Sequence, residues 1–136
     1  MSKPYQVAAI PFRRGPSGGV EVLLVTSRET RRWVIPKGWP WRNVKDHDAA
    51  AGEAWEEAGV HGLIDPRSLG SFTYPKQRKD KVTSLEVIVY RLEVTEEAER
   101  WPEHQQRERR WLHQSYAAEL VSEHALKQIL RDLIAD

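Results

Sequence analysis

Three glutamates fall close together in the stretch "GEAWEEAGV": Glu53, Glu56 and Glu57. In a helix, Glu56 and Glu57 stand three and four positions after Glu53, so all three project from one side of the cylinder within a turn. Like charges at this spacing repel by roughly 0.2–0.5 kcal/mol per pair, and carboxylates in a final turn also face the negative end of the macrodipole, at about 0.3–1 kcal/mol each. A solvated face would tolerate that repulsion; a divalent cation would cancel it. The chain has no cysteine, so any metal is held by oxygen or imidazole. Hard oxygen ligands suit Mg²⁺ or Mn²⁺, and Mg²⁺ prefers a few carboxylates plus substrate phosphates and water. The triad therefore points to phosphate chemistry.

Basic residues supply the matching half. Arg28, Arg31, Arg32, Lys37, Arg42 and Lys45 precede the glutamates with only Glu29 among them, although the whole chain is nearly neutral, with 21 basic and 20 acidic residues. A second run, "RERR", contains Arg107 and Arg109. Either run could be a solvated face. Beside a metal, however, guanidinium and ammonium groups are what a polyphosphate requires, because they bind the oxygens the metal leaves. Arg28, Arg32, Lys37, Arg107 and Arg109 are the candidate substrate-binding residues.

The elements that must position these groups read as mixed α and β. "YQVAAIPFRRG" and "GVEVLLVTSR" are apolar, branched runs separated by a turn-like "GPSGG", and "RRWVIPKG" adds a short extended piece. "DHDAAAGEAWEEAG" predicts a helix with Asp46 or Asp48 as N-cap and Gly59 as stop, and with Gly52 inside it at ~1 kcal/mol relative to alanine. Strand composition returns in "LGSFTYPK", "VTSLEVIVYRLEV" and "RERRWLH". "SEHALKQILRDLIAD" closes the chain as an amphipathic helix behind Ser122 as cap. This order predicts an α/β fold, a mixed sheet with helices on its faces. At 136 residues, with 40% hydrophobic and 30% charged, one domain with one stable core over residues 1–136 is expected.

With these pieces in place, the sequence resembles the Nudix hydrolases, whose box runs Gly, five residues, Glu, seven residues, Arg-Glu, an apolar residue, any residue, Glu-Glu, any residue, Gly, apolar. From Gly38, the register puts Glu53, Ala54, Glu56, Glu57, Gly59 and Val60 on the motif, with Val44 at the first Glu and Gly52 at the Arg. "VLLVTSRETRRWVIPKG", "GSFTYPK" and "RERRWL" are similar to the diphosphoinositol-polyphosphate branch. The resemblance implies an α/β/α sandwich and hydrolysis of a diphosphate linkage by attack of a metal-activated water on phosphorus. It implies Glu53, Glu56 and Glu57 as metal-binding and catalytic carboxylates, Glu56 being the general base in that branch, with a backbone carbonyl of Lys37 or Gly38 as a further ligand. Val44 removes an outer ligand. Gly52 removes the salt bridge by which the family's Arg holds its glutamates, which leaves Glu53 unheld and the helix looser.

Trp39 and Trp41 either stack a base or pack over the helix. Trp33, Trp55 and Trp111 fit core or strand positions, and the five histidines fit surface or capping ones. Glu103 lies where some branches place an extra catalytic Glu, at an offset from Trp111 that does not match. Gln6 stands where the diphosphoinositol branch has a basic residue, and Lys76, Arg78, Lys79 and Lys81 are near enough in sequence to the strands to replace that charge. The partner expected is a polyphosphorylated small molecule, a diphosphoinositol polyphosphate or a dinucleoside polyphosphate, in the cytoplasm, with no membrane and no DNA. Two other readings stand beside it: a binding module that has lost turnover, and an RNA 5′-end pyrophosphohydrolase, whose RNA affinity would fall steeply with salt.

Overall fold

The two apolar runs near the N-terminus become strands β1 (Tyr5–Arg14) and β2 (Val20–Thr26), and they read as continuous apolar sequence because both of their faces are covered. The computed structural model describes residues 3–135, apart from the side chain of Arg78. Val7, Ala9, Leu23 and Val25 face helix α1 (Asp46–Ala58), together with Ala49, Ala50, Ala54 and Ala58 from the helix. Alanine at all four positions lets the helix lie close on the sheet. Ala8, Ile10, Phe12, Val22 and Leu24 face the other way, onto Ala117 and Ala118 of helix α2 (Gln114–Leu120) and Leu126 and Leu130 of helix α3 (His124–Asp132). Two cores thus sandwich one sheet.

That sheet is mixed. β1 runs parallel to β7 (Lys81–Glu97), from Tyr5 opposite Glu86 to Phe12 opposite Glu93, and every other pairing is antiparallel. β6 (Gly70–Arg78) forms a hairpin with the first half of β7, β5 (Val60–Ile64) pairs with its second half, and β8 (Arg109–His113) pairs with β2. The feature that matters most for the site is a wedge. β3 (Trp33–Val34) pairs with the end of β2, and β4 (Lys37–Gly38) pairs with the start of β1 at Val7 and Ala8. Ala9 donates its N–H to the carbonyl of Pro36 at 3.1 Å. The segment "WVIPKG" is thereby inserted between two diverging strands and delivers Gly38 to the face of α1.

Several local expectations change. Neither Asp46 nor Asp48 caps α1: Lys45 holds the N-cap position without a side-chain bond, and Asp46 instead accepts from the Tyr5 hydroxyl at 2.8 Å, tying the helix to β1. Gly59 does end it, at φ 70°. A further helix, α2, which the sequence pattern does not announce, precedes the closing helix α3. Ser122 does not cap it, because Arg32 draws both Ser122 Oγ and Glu123 Oε2 toward itself at 3.0 and 3.2 Å. The helix also stops at Asp132, where the Gln114 amide donates to the carbonyls of Leu130 and Leu133 at 2.8 and 3.0 Å; Asp136 lies outside the described residues. α2 starts on a histidine cap, His113 Nδ1 accepting from the N–H of Ser115 at 3.1 Å.

Candidate active site

A helix leaves its last four carbonyls without partners. In α1 these belong to Trp55, Glu56, Glu57 and Ala58, and all four are met. Gly59 N–H donates to Trp55 at 3.0 Å and Glu103 N–H to Glu56 at 3.1 Å. Trp101 Nε1 donates to Glu57 at 2.9 Å and Arg109 Nη1 to Ala58 at 2.9 Å. Arg109, stacked on Trp101 with its guanidinium carbon 4.0 Å from the ring centroid, also brings positive charge to the negative end of the helix. The segment between β7 and β8 is fastened to the end of α1, and two of its side chains are carried to the glutamates.

Arg107 is the first. Its guanidinium, 8% exposed, bonds Glu103 Oε1 at 2.7 Å and the Thr26 carbonyl at 2.9 Å, and stands 3.4 Å from Glu57 Oε2. Glu103 is the second. It lines the same cleft as Glu53 and Glu57, whereas Glu56 does not. The cleft has a volume of about 690 Å³, and Arg28, Arg32, Lys37, Lys76, Trp39, Trp41 and Gln6 also line it.

Electrostatics sort the carboxylates. Burial pushes Glu57 up to about 7, with Arg107 opposing the rise. Burial also raises Glu53, against a hydrogen bond from Trp41 Nε1 to Glu53 Oε2 at 2.9 Å. Lys37 is pulled down by burial and supported by Glu57, its ammonium 5.0 Å above the centroid of the Tyr74 ring. Tyr74 in turn donates to the buried amide oxygen of Gln6 at 2.8 Å.

The donors fit a hard divalent cation in kind, being carboxylate and backbone oxygens. Glu53 lies so close over Gly38 that a Cβ there would overlap its carboxylate, so glycine leaves open a cradle between the wedge and the helix. Glu57 reaches the same place, accepting from the Lys37 N–H at 3.4 Å. Among the described residues, no three carboxylate or imidazole side chains gather as a complete metal cluster. Glu53, Glu57 and the Lys37–Gly38 backbone would therefore hold the cation with water or substrate oxygens completing the shell, the preference of Mg²⁺. Gly38→Ala should displace Glu53 and weaken Mn²⁺ binding by about tenfold or more, measured by calorimetry, with the fold retained.

The sequence-derived cations divide. Arg28, Arg32 and Lys37 reach the cleft, although Arg32 also pairs with Glu123. Arg107 serves the acidic residues themselves. Arg109 is not brought to the cleft: it closes the helix end and pairs with Glu97 at 3.3 Å. Gly52 requires a correction as well. Glu53 is held after all, by Trp41, whose ring covers Gly52.

A family model described as NUDIX domain matches residues 4–133. The chain belongs to this family. Nudix family members generally use divalent metal ions. The chain is 37% identical to "Nudix hydrolase 12, mitochondrial" of Arabidopsis thaliana over 122 residues, which is 82% of this chain and 59% of that one. It is 42% identical over 82 residues to "Diphosphoinositol polyphosphate phosphohydrolase 3-beta" of Bos taurus, 60% of this chain and 46% of that one. The chain spans less than two thirds of the length of both. The C. elegans Ap4A hydrolase in a binary complex shares the Nudix fold at TM-score 0.68 and 22% identity, over 95% of this chain and 93% of that one. So does the Nudix domain of Shewanella oneidensis NrtR with ADP ribose, at TM-score 0.71 and 13% identity, over 97% and 88%.

Proposed function

We propose that the chain is a pyrophosphohydrolase dependent on Mg²⁺ or Mn²⁺ that cleaves a phosphoanhydride bond in a polyphosphorylated small molecule. One observation carries this: Glu53 and Glu57 enter, beside the Gly38 cradle, a cleft that Arg28, Lys37 and Lys76 also line. A bound cation would supply Lewis acidity, drawing electron density from the phosphate oxygens. Arg28 and Lys76 bind and orient the remaining anionic oxygens. Proton removal from the attacking water falls to Glu53, which lines the cleft, is raised by burial and forms no ion pair among the described residues; Glu57 and Glu103 are both engaged by Arg107, and Glu56 does not line the cleft.

Of the two substrate classes, a dinucleoside polyphosphate suits the cleft better. Gln6 puts a neutral amide on its wall, Arg107 and Arg32 are engaged with acids, and Trp39 and Trp41 line it with aromatic side chains of the kind that stack on bases. The bovine relative's name and the nematode neighbour's title supply one substrate class each. A panel of diphosphate-containing compounds with Mg²⁺ and Mn²⁺, both products identified, tests the reading. Turnover is expected on dinucleoside polyphosphates ahead of diphosphoinositols, and chelation should abolish it. Arg107 already neutralises two of the acids, which favours a second reading, a Nudix-fold binding module; binding without turnover across the panel would establish that instead.

The whole chain acts in this proposal as one domain in the cytoplasm. The cysteine-free composition suits a reducing compartment, and among the described residues no helix is long and apolar enough to cross a membrane. Relatives are named mitochondrial and chloroplastic, so imaging of the tagged chain is the deciding measurement.

A further inference from the structure

Resting on the reading of Glu53 as a metal-site carboxylate, we infer that Trp41 is the positioning residue for Glu53, and that Gly52 is the other half of the same device. The Trp41 indole N–H donates to Glu53 Oε2 at 2.9 Å, so the carboxylate oxygen nearest Gly38 is fixed, and with it the direction in which Oε1 faces. The ring that makes this bond lies flat over the helix at Gly52. A Cβ built there would stand 2.7 Å from Cζ2 and 2.8 Å from Cζ3, closer than real side-chain carbons approach an aromatic ring. Any residue larger than glycine evicts the indole.

The turn that presents Trp41 is itself fixed. Val44 N–H donates to the Trp41 carbonyl at 3.2 Å, and Asn43 takes a left-handed φ of 62°, which asparagine adopts more readily than most residues. The turn uses only the backbone N–H of Val44, whose side chain is exposed. In sequence terms the Gly52 departure from the Nudix box is a substitution of device: a neutral indole donor from the loop before α1 replaces a charged donor from α1 itself. Because the indole carries no charge, it holds the carboxylate without competing with a cation for it, as a guanidinium would.

The experiment is a mutant cycle read by Mn²⁺ affinity and by the indole ¹H–¹⁵N resonance of Trp41, assigned by its disappearance in Trp41→Phe. Trp41→Phe keeps the ring and removes the donor; Mn²⁺ binding should weaken about tenfold to a hundredfold with an unchanged fold. Gly52→Arg alone should weaken binding too, because the indole is displaced. Trp41→Ala combined with Gly52→Arg should restore most of the affinity, the arginine entering the vacated space, so the two changes together do less harm than either alone. Unchanged affinity in Trp41→Phe, or a gain in Gly52→Arg alone, overturns the inference. If the wild-type protein binds no Mn²⁺, the metal reading fails while the pairing is still tested: in metal-free protein the Trp41 indole resonance should move in Glu53→Ala, and its staying in place sinks the pairing.

Discussion

Glu57→Gln should lose turnover by on the order of 10²-fold or more and, in the absence of metal, become more stable than wild type as pH rises. The two effects share one cause. Glu57 is 7% exposed, and burial raises its carboxyl to about 7 from an ordinary 4.5. Below 4.5 both folded and unfolded chains hold the proton. Between 4.5 and 7 the unfolded chain releases it first, so folding is progressively disfavoured, and by pH 8 the native state carries the whole penalty. That interval corresponds to ~3 kcal/mol. Glutamine does not ionise, so the gap in unfolding midpoint between variant and wild type should widen between pH 5 and pH 8 by roughly 10 °C for a domain of this size. Thermal unfolding in chelator at the two pH values, with phosphate release measured alongside, checks both halves. A gap that is flat with pH would show that Glu57 is ionised throughout.

Arg107→Ala should be the most damaging single change to the fold. It removes a buried cation from between Glu57 and Glu103 and leaves the Thr26 carbonyl without that donor. Removing one partner of a buried ion pair typically costs about 3–5 kcal/mol, because the remaining charge is stranded. A fall in unfolding midpoint of roughly 10–20 °C follows. Arg107→Lys should recover only part of this, since an ammonium cannot reproduce the fork that meets three oxygens. The informative measurement is Mn²⁺ addition. A cation that neutralises the same carboxylates should raise the midpoint of either variant more than that of wild type, and equal increments would place the cation away from Glu57.

Much of this was readable locally. β1 and β2 announce themselves by branched apolar runs, and α1 by alanine spacing and Gly59, because burial and chain reversal leave marks on neighbouring residues. The glutamate spacing likewise exposes Glu53 and Glu57 as carboxylates that share a helix face. What stayed hidden depends on partners far along the chain. Asp46 gives up capping for Tyr5, and Ser122 gives it up for Arg32. β5 is short and interrupted by a bulge after His61, too weak a pattern to read as a strand. Arg107 and Arg109 look alike in "RERR", yet one reaches inward to acids and the other closes a helix, a difference set by the strand register of β8. Glu103 is carried to the cleft by a backbone bond to Glu56, which no spacing from Trp111 encodes. The indole over Gly52 could have been found by asking what a large loop residue does opposite a missing side chain.

The fastening of α1 by the segment ahead of β8 has a temporal consequence. A chain emerging from the ribosome can make β1, β2, the wedge and the glutamate helix long before Trp101, Glu103, Arg107 and Arg109 exist. Until then the carbonyls of Glu56, Glu57 and Ala58 lack these partners and Glu57 has no guanidinium beside it. The cleft is thus a late product of synthesis, and a nascent chain halted before Trp101 carries the whole box without carrying a site.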